Sequence, residues 1–240
     1  MSVLSNFATA CAEVTDPEVS GAAMLPVRLA IALTRALPVD AAAIGGLGLD
    51  DLRVPLGASS PDAELAERLE VTLGDGPCLA AFGLGYPVAA TQQQIAQAWP
   101  IYFDRLVSET PFRSVASLPL QTPTDRLGAV DLYWTSPDGV TTLPMATALE
   151  LADEVAAVLL AAPQVLTLDA VIAPAWVMAT AAQRRMHVWQ AVGMLNAARA
   201  LSNRDAIAVL RAYAYAHDTT LDDLAEDLIF RRLTTGDVAP

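Results

Sequence analysis

Residues 113–134, RSVASLPLQTPTDRLGAVDLYW, decide the fold of this chain. Two apolar, partly alternating runs, at 113–121 and 127–134, are separated by a stretch of threonine, proline and aspartate at 122–125. This pattern predicts two antiparallel strands joined by a tight turn. Residues 143–162 follow, with apolar side chains at helical spacing, and predict a long helix.

Upstream of this hairpin, short helical and extended patterns alternate. Ser60 before Pro61 marks a helix start, since serine caps a helix and proline fits its first turn. A tight Gly/Pro turn at 72–78 leads into a short helix. Together these elements predict an α+β fold, an antiparallel sheet with flanking helices. The other predicted elements are helices over 22–37 and near 102–109, strands over 41–48 and 52–58 around a hairpin turn at 49–51, and an extended run at 88–90.

The last 60 residues are predicted to be helical throughout. A first helix over 181–200 places Met186, Trp189, Val192 and Leu195 on its apolar side. Variants of the capping box, beginning at Ser202 and Thr220, start two more helices. We therefore divide the chain into a segment over 1–19, an α+β domain over 20–162, a partly helical linker over 163–180 interrupted at Pro174, a three-helix domain over 181–235 and a tail over 236–240.

Composition and charge restrict the class of protein. The chain has 240 residues, 54% of them hydrophobic, and a net charge of −13. No apolar run is long enough to cross a bilayer, and residues 1–15 lack a secretory signal, so we expect a cytoplasmic protein without membrane contact. Two cysteines, Cys11 and Cys78, match neither a disulfide framework nor a zinc pattern.

The charge is distributed unevenly. All 14 basic residues are arginines, and seven of them lie beyond residue 180. Because only six acidic residues accompany them up to residue 235, that segment carries +1 and the rest of the chain −14. Arginine binds phosphate or guanine in a bidentate manner, so this asymmetry indicates that the two parts have different partners.

The C-terminal segment contains HVWQAVGML at residues 187–195, followed at fixed spacing by Asp205-Ala206, Leu210-Arg211, Ala214 and Leu224-Ala225. This pattern resembles the ANTAR family across residues 181–235. The resemblance implies a three-helix domain that binds RNA hairpins in nascent transcripts and prevents premature termination. Val192 stands where many members have lysine. Gly193, in the middle of a helix, costs about 1 kcal/mol relative to alanine, which we expect close helix packing to offset; close approach of RNA is the alternative.

The N-terminal domain is similar to GAF domains that occur fused to ANTAR domains in actinobacteria. The residues that carry this similarity lie at 72–78, 85–88, 99–100 and 127–133. It implies an antiparallel sheet with a pocket for a small ligand, whose identity varies within the family. The whole chain is therefore expected to be a signal-responsive transcription antiterminator.

The candidate RNA-binding residues combine arginines with groups that can stack on bases or bond to them. Arg204 and Arg211 are seven apart and share a helix face. The alternative is that the helices dock a protein partner. The full set of candidates is Arg185, Gln190, Arg199, Arg204, Arg211 and Tyr215.

The sequence argues against an enzyme. Both histidines, His187 and His217, lie in the helical tail, so the α+β domain contains no imidazole base, and we predict no metal and no cofactor. Cys78 starts a helix and is a possible redox sensor, the alternative being a small buried residue. Asp75 and Asp131 could line a pocket, although turn and hairpin positions suffice to explain them.

The apolar linker suggests both a dimer and a route for coupling. Val171, Ile172 and Trp176 are expected to be exposed and to make the protein a homodimer. The helix over 143–162 leads directly into the linker, so a ligand in the GAF-like domain would be transmitted through it to the terminal helices.

Overall fold

The computed structural model describes residues 3–46, 52–122, 126–167 and 172–238. The strands of the main sheet are β1 (Ala41–Gly46), β2 (Val54–Ala58), β3 (Val88–Ala90), β4 (Ser114–Gln121) and β5 (Arg126–Trp134). They form a five-stranded antiparallel sheet in the order β2-β1-β5-β4-β3. The predicted hairpin is confirmed, with Ser114 opposite Trp134 and Leu118 opposite Val130. The predicted turn residues 49–51 and 123–125 lie outside the described residues.

Helices cover both faces of this sheet, which confirms the predicted α+β architecture. Among the described residues they are α1 (Val3–Ala12), α2 (Leu25–Ala36), α3 (Pro61–Leu73), α4 (Pro77–Leu84), α5 (Gln92–Ala98), α6 (Pro100–Glu109), α7 (Met145–Leu160), α8 (Thr180–Arg199), α9 (Asn203–Ala216) and α10 (Leu221–Ile229). Helix α1 falls in the segment over 1–19, for which the sequence predicted no element. No helix in the described part of the chain is both long and apolar enough to span a membrane.

The two faces of the sheet differ in what they bury. Helices α1, α2 and α7 cover the first face, where Ile44, Leu118, Val130 and Leu132 form an apolar core with them. Helices α3, α4 and α6 cover the second face, where Tyr133 packs with apolar residues of α3 and α6. Because side chains alternate along a strand, Asp131 lies between Val130 and Leu132 but points to the second face. That face holds the buried charges described below.

The described residues of the linker over 163–180 form a pair of short strands and one helical turn, where the sequence predicted a helix interrupted at Pro174. Strands β6 (Gln164–Leu166) and β7 (Ile172–Pro174) pair antiparallel, and a 3₁₀ turn over Ala175–Met178 leads into α8. Ile172 is exposed, as expected, but Trp176 is half-buried and its indole N–H donates to the Leu159 carbonyl at 3.2 Å. The predicted exposure of Val171 lies outside the described residues.

Helices α8, α9 and α10 pack together around Val188, Leu195, Leu210 and Leu224. Their ends follow from local signals: Ser202 caps α9, Thr220 caps α10, and Ala200 ends α8 in the left-handed region. The buried side of α8 differs from the prediction, since Met186 is 49% exposed while Arg185 and Val188 are buried. Leu52 and Val71 of the α+β part belong to the same apolar core, so the helices dock directly on it.

Candidate functional site

A cluster of buried polar side chains lies on the second face of the sheet. Two of its members, Glu67 and Glu70, are three residues apart on α3 and therefore share one helix face. Arg53 precedes β2, and Asp131 belongs to β5. The helix start after the Gly76-Pro77 turn contributes the fifth member, Cys78. All five are at most 2% exposed, so each depends on the protein for its partners.

The Arg53 guanidinium is the centre of this cluster. One terminal nitrogen donates to the Cys78 sulfur and lies 3.4 Å from Asp131 Oδ2. The other is 3.7 Å from Glu67 Oε1 and donates to the Ala129 carbonyl at 3.4 Å. Gly45 leaves room for these groups, because a Cβ there would overlap with Arg53 Nη2 and Glu67 Oε1.

Glu70 satisfies the beginning of α4. Its Oε1 accepts hydrogen bonds from the backbone N–H groups of Cys78, at 2.5 Å, and Leu79, at 3.1 Å. These two groups lack partners within the helix, and a carboxylate is favoured at that end. The helix N-terminus that could activate the Cys78 thiol is therefore already occupied by Glu70.

Burial shifts the protonation of the three carboxyl groups. Desolvation raises the pKa of Glu67 from 4.5 to about 8, although the Arg53 guanidinium acts in the opposite direction. Burial also raises the pKa of Glu70 and of Asp131. At Asp131 two groups partly offset this rise in pKa: the Arg53 guanidinium and the Ser117 hydroxyl, which donates to Oδ1 at 2.6 Å. Three carboxyl groups around one guanidinium favour uptake of a proton near neutral pH.

Glu70, Cys78 and Asp131 also form a possible ligand set for a metal ion. One ligand atom from each lies within 4.8 Å of the others. However, the Arg53 guanidinium contacts both Cys78 and Asp131 and already supplies positive charge there. A divalent ion would have to displace this guanidinium, so the arrangement does not favour a metal centre.

Buried charges continue from this cluster into the C-terminal helices. Arg185 of α8 is 1% exposed, lowers the pKa of Glu67 through its charge, and pairs with Asp222 of α10 at 3.1 Å. Arg68 of α3 lies 3.6 Å from the same Asp222 carboxylate and 2.5 Å from Asp223. The charged groups therefore form one series from the central strand to the last helix.

Three of the predicted RNA-binding arginines are engaged within the protein. Arg185 is the clearest correction, because its buried ion pair with Asp222 keeps its guanidinium from any RNA phosphate in this arrangement. Arg211 Nε donates to the Val71 carbonyl at the end of α3, at 3.1 Å. Arg199 Nη2 donates to the Thr235 carbonyl at 2.5 Å and so fastens the C-terminal segment to α8.

The other three candidates are exposed. Gln190 and Arg204 lie on the surface, and Tyr215 is 51% exposed. Gly193 is exposed as well, and a Cβ built on it would meet nothing within 4 Å. The expectation that Gly193 serves close helix packing is therefore wrong, and the alternative, close approach of RNA, stays a prediction.

Acidic residues neutralise further arginines of this segment. Arg184 pairs with Glu64 at 3.3 Å and with Glu226 at 3.6 Å, and Arg232 pairs with Asp227 at 2.5 Å. The seven arginines beyond residue 180 thus do not act as one free positive surface in this structure.

Sequence reasoning missed most of the buried cluster. Asp75 lies exposed in its turn, whereas Asp131 is fully buried, which a hairpin position alone does not explain. Arg53, Glu67 and Glu70 were not singled out. A single arginine inside the apolar run at 52–58 was the available signal for Arg53, and the three-residue spacing of the glutamates was the signal for the other two.

No protein-family model matches the sequence, and no curated protein matches it significantly. The chain is similar to the structure of free methionine-R-sulfoxide reductase from Neisseria meningitidis in complex with its substrate (TM-score 0.44, 16% identity, 65% of this chain and 86% of that chain). It is also similar to the GAF domain of a phosphoenolpyruvate-protein phosphotransferase from Coxiella burnetii (TM-score 0.43, 16% identity, 65% and 94%). At this level, neither similarity assigns a function.

Proposed function

We propose that the chain is a signal-responsive, RNA-binding regulator in which a GAF-type sensor domain controls ANTAR-type C-terminal helices. The observation that carries the proposal is the docking of Arg211 on α3. The resemblance of residues 187–195 and the following helices supplies the RNA-binding role. In this role the protein acts in the cytoplasm as a transcription antiterminator on hairpins of nascent transcripts.

The RNA-facing side of α9 coincides with the docked side. Arg204, Arg211 and Tyr215 are separated by seven and four residues, so they share one face of this helix. Arg211, in the middle of that face, bonds to α3, while Arg204 and Tyr215 at its ends are exposed. RNA that used all three would compete with α3, and we interpret the described arrangement as the resting state.

The polar contacts between α3 and α10 hold this state. The Arg68 side chain, 14% exposed, lies against Asp222 and Asp223 and donates to the Thr220 hydroxyl at 2.5 Å. Thr72 accepts the backbone N–H of Leu221 at 2.9 Å. A signal that changes the charge around Glu67 acts on α3 itself, and through Arg185 on α8 and α10. Coupling can therefore run through α3 as well as through the linker.

Catalysis is not part of this proposal. Both histidines lie beyond residue 180, so the sensor domain contains no histidine that could complete a Cys–His pair or a metal–His site. Cys78, held between Arg53 and the start of α4, is proposed only as a group whose oxidation could act as a signal.

The test compares two charge-reversal variants that have the same net charge as each other. Arg68→Glu would repel Asp222 and Asp223 and undock α10. Arg35→Glu changes an exposed arginine of α2 that donates to the Ala10 carbonyl of α1 at 3.2 Å and has no contact with α10 among the described residues. We expect Arg68→Glu to bind a pool of RNA stem-loops with randomised loops about tenfold more tightly than the wild type, since about 1.4 kcal/mol of docking free energy no longer competes. Arg35→Glu should bind like the wild type. Circular dichroism checks that both variants keep their helices.

Arg204→Ala in the Arg68→Glu background tests whether the binding is to phosphate. It should weaken binding and reduce the slope of log Kd against log salt by about one. If the folded Arg68→Glu variant and the wild type bound RNA equally well, the docked arrangement would not be a resting state that suppresses RNA binding.

The neutralised arginines favour a second candidate, a module whose helices dock a protein partner. Arg184, Arg185 and Arg232 are all paired with acids, which lowers the attraction for phosphate. Failure of every variant to bind the stem-loop pool, or binding that does not depend on salt, would select this candidate over RNA.

A further inference from the structure

A cavity of about 630 Å³ lies where the apolar layer of the sheet meets the linker and α8. Leu56, Leu120 and Leu127 of three strands form one side of it. Trp176 of the linker and Met186 of α8 form the opposite side. It lies on the first face of the sheet and is therefore separate from the buried charge cluster. Cavities of this size accommodate small organic ligands.

None of the described residues that line it carries a charged side chain. Thr167 and Gln183 are its polar members in the described part of the chain, and the Gln183 amide already donates to the Val177 carbonyl at 2.9 Å. The Trp176 N–H is likewise directed to the Leu159 carbonyl. A charged group placed against these side chains would lose part of its hydration without gaining a partner of opposite charge among the described lining residues. The chain as a whole carries −13, which adds repulsion against anions.

We infer that this cavity binds an uncharged, largely apolar small molecule, and that α8 responds to its binding through direct contact. The inference rests on the proposed sensor function and gives it a ligand class and a location. Met186 and Ala182 of α8 line the cavity together with strand residues, so an occupant contacts both the sheet and the first C-terminal helix. A second copy of the chain would instead cover Leu166 and Ile172, which are 71% and 73% exposed on the β6–β7 hairpin and do not line the cavity.

The test uses two fluorescent probes with the same rings. N-phenyl-1-naphthylamine is uncharged, and 1-anilino-8-naphthalenesulfonate adds one negative charge. We expect the uncharged probe to bind one per chain with a blue-shifted emission, and the sulfonate to bind about tenfold more weakly because of its desolvation. Equal binding of both probes, or no binding of the uncharged probe, would overturn the inference.

Two matched variants locate the binding site. Met186→Asp places a charge at the cavity, and Leu84→Asp places the same charge at an equally exposed position on α4; the two side chains are 49% and 50% exposed. Met186→Asp should weaken the uncharged probe about tenfold, whereas Leu84→Asp should not change it. An equal loss in both variants would place the probe elsewhere. Leu127→Trp, which fills the cavity without a charge, should also exclude the probe.

Light scattering over a range of protein concentrations tests the other possible occupant of the cavity, a second copy of the chain. Loss of probe binding as the chain self-associates would assign the cavity to a second copy and contradict a small-molecule site. Because no RNA is present in these measurements, probe binding together with failure of the stem-loop experiment would reject the RNA role and retain the site. The reverse result would retain the RNA role and reject this cavity.

Discussion

The two faces of the central sheet bury opposite chemistry, although they are made by the same strands. On β5, Val130 and Leu132 enter an apolar core under α1, α2 and α7, while Asp131 between them enters the charge cluster under α3 and α4. The apolar face gains stability from burial that does not depend on pH. The charged face costs desolvation free energy, which its ion pairs only partly offset. The difference teaches that the stability of the first face is independent of charge, whereas the second face can respond to a change of charge.

On the charged face, leaving one buried ion without its partner should cause the largest loss of unfolding free energy. Asp222→Ala removes the carboxylate beside the buried Arg185 guanidinium and should cost about 3–5 kcal/mol of unfolding free energy, because an uncompensated buried charge remains. Urea denaturation at pH 7 measures this loss. Replacing both residues by apolar ones, Arg185→Met with Asp222→Leu, should recover most of it. A double variant as unstable as Asp222→Ala would show that lost packing, and not the unpaired charge, is responsible.

The apolar face should respond to a lost contact in another way. Leu132→Ala leaves a cavity in a fully buried position and should cost about 2–5 kcal/mol. The loss should be the same at pH 5 and pH 8, since no titratable group changes its surroundings. Leu84→Ala, at an exposed position, serves as the control and should change stability by less than about 0.5 kcal/mol. A pH-dependent loss in Leu132→Ala would remove the distinction between the two faces.

The charged face should make stability depend on pH. Glu67 binds its proton up to about pH 8 in the folded chain but only to about 4.5 when unfolded, so its contribution is complete at low pH and is lost as pH rises through 8. Between pH 6 and pH 8 we expect the unfolding free energy to fall by about 2 kcal/mol from this group. Glu67→Gln should flatten the curve, while Leu132→Ala should keep the wild-type slope. A wild-type stability that rises over this range would reverse the sign assigned to Glu67.

Much of the local structure could be predicted from the sequence. The β4–β5 hairpin, the long helix α7 and the capped starts of α3, α9 and α10 follow from alternation, helical spacing and capping residues. The linker hairpin could not be predicted in this way, because its strands have three residues each and Pro174 suggested only a break. Similarly, α8 mixes polar and apolar residues around its circumference, so the sequence did not show that Arg185 would be buried and Met186 exposed.

The sequence by itself determined where the capped helices α3, α9 and α10 begin, that arginines concentrate in the last helices, and that Asp131 interrupts an apolar strand. These properties depend on neighbours within a few residues, and such neighbours are visible in a linear pattern. Only the tertiary structure decided which arginines remain free. Arg211 meets Val71 and Arg68 meets Asp223 across more than 100 residues, and these contacts exist only because α3 packs against the terminal helices. The direction of each side chain depends on that packing, since a buried charge must find its partner wherever the fold places one.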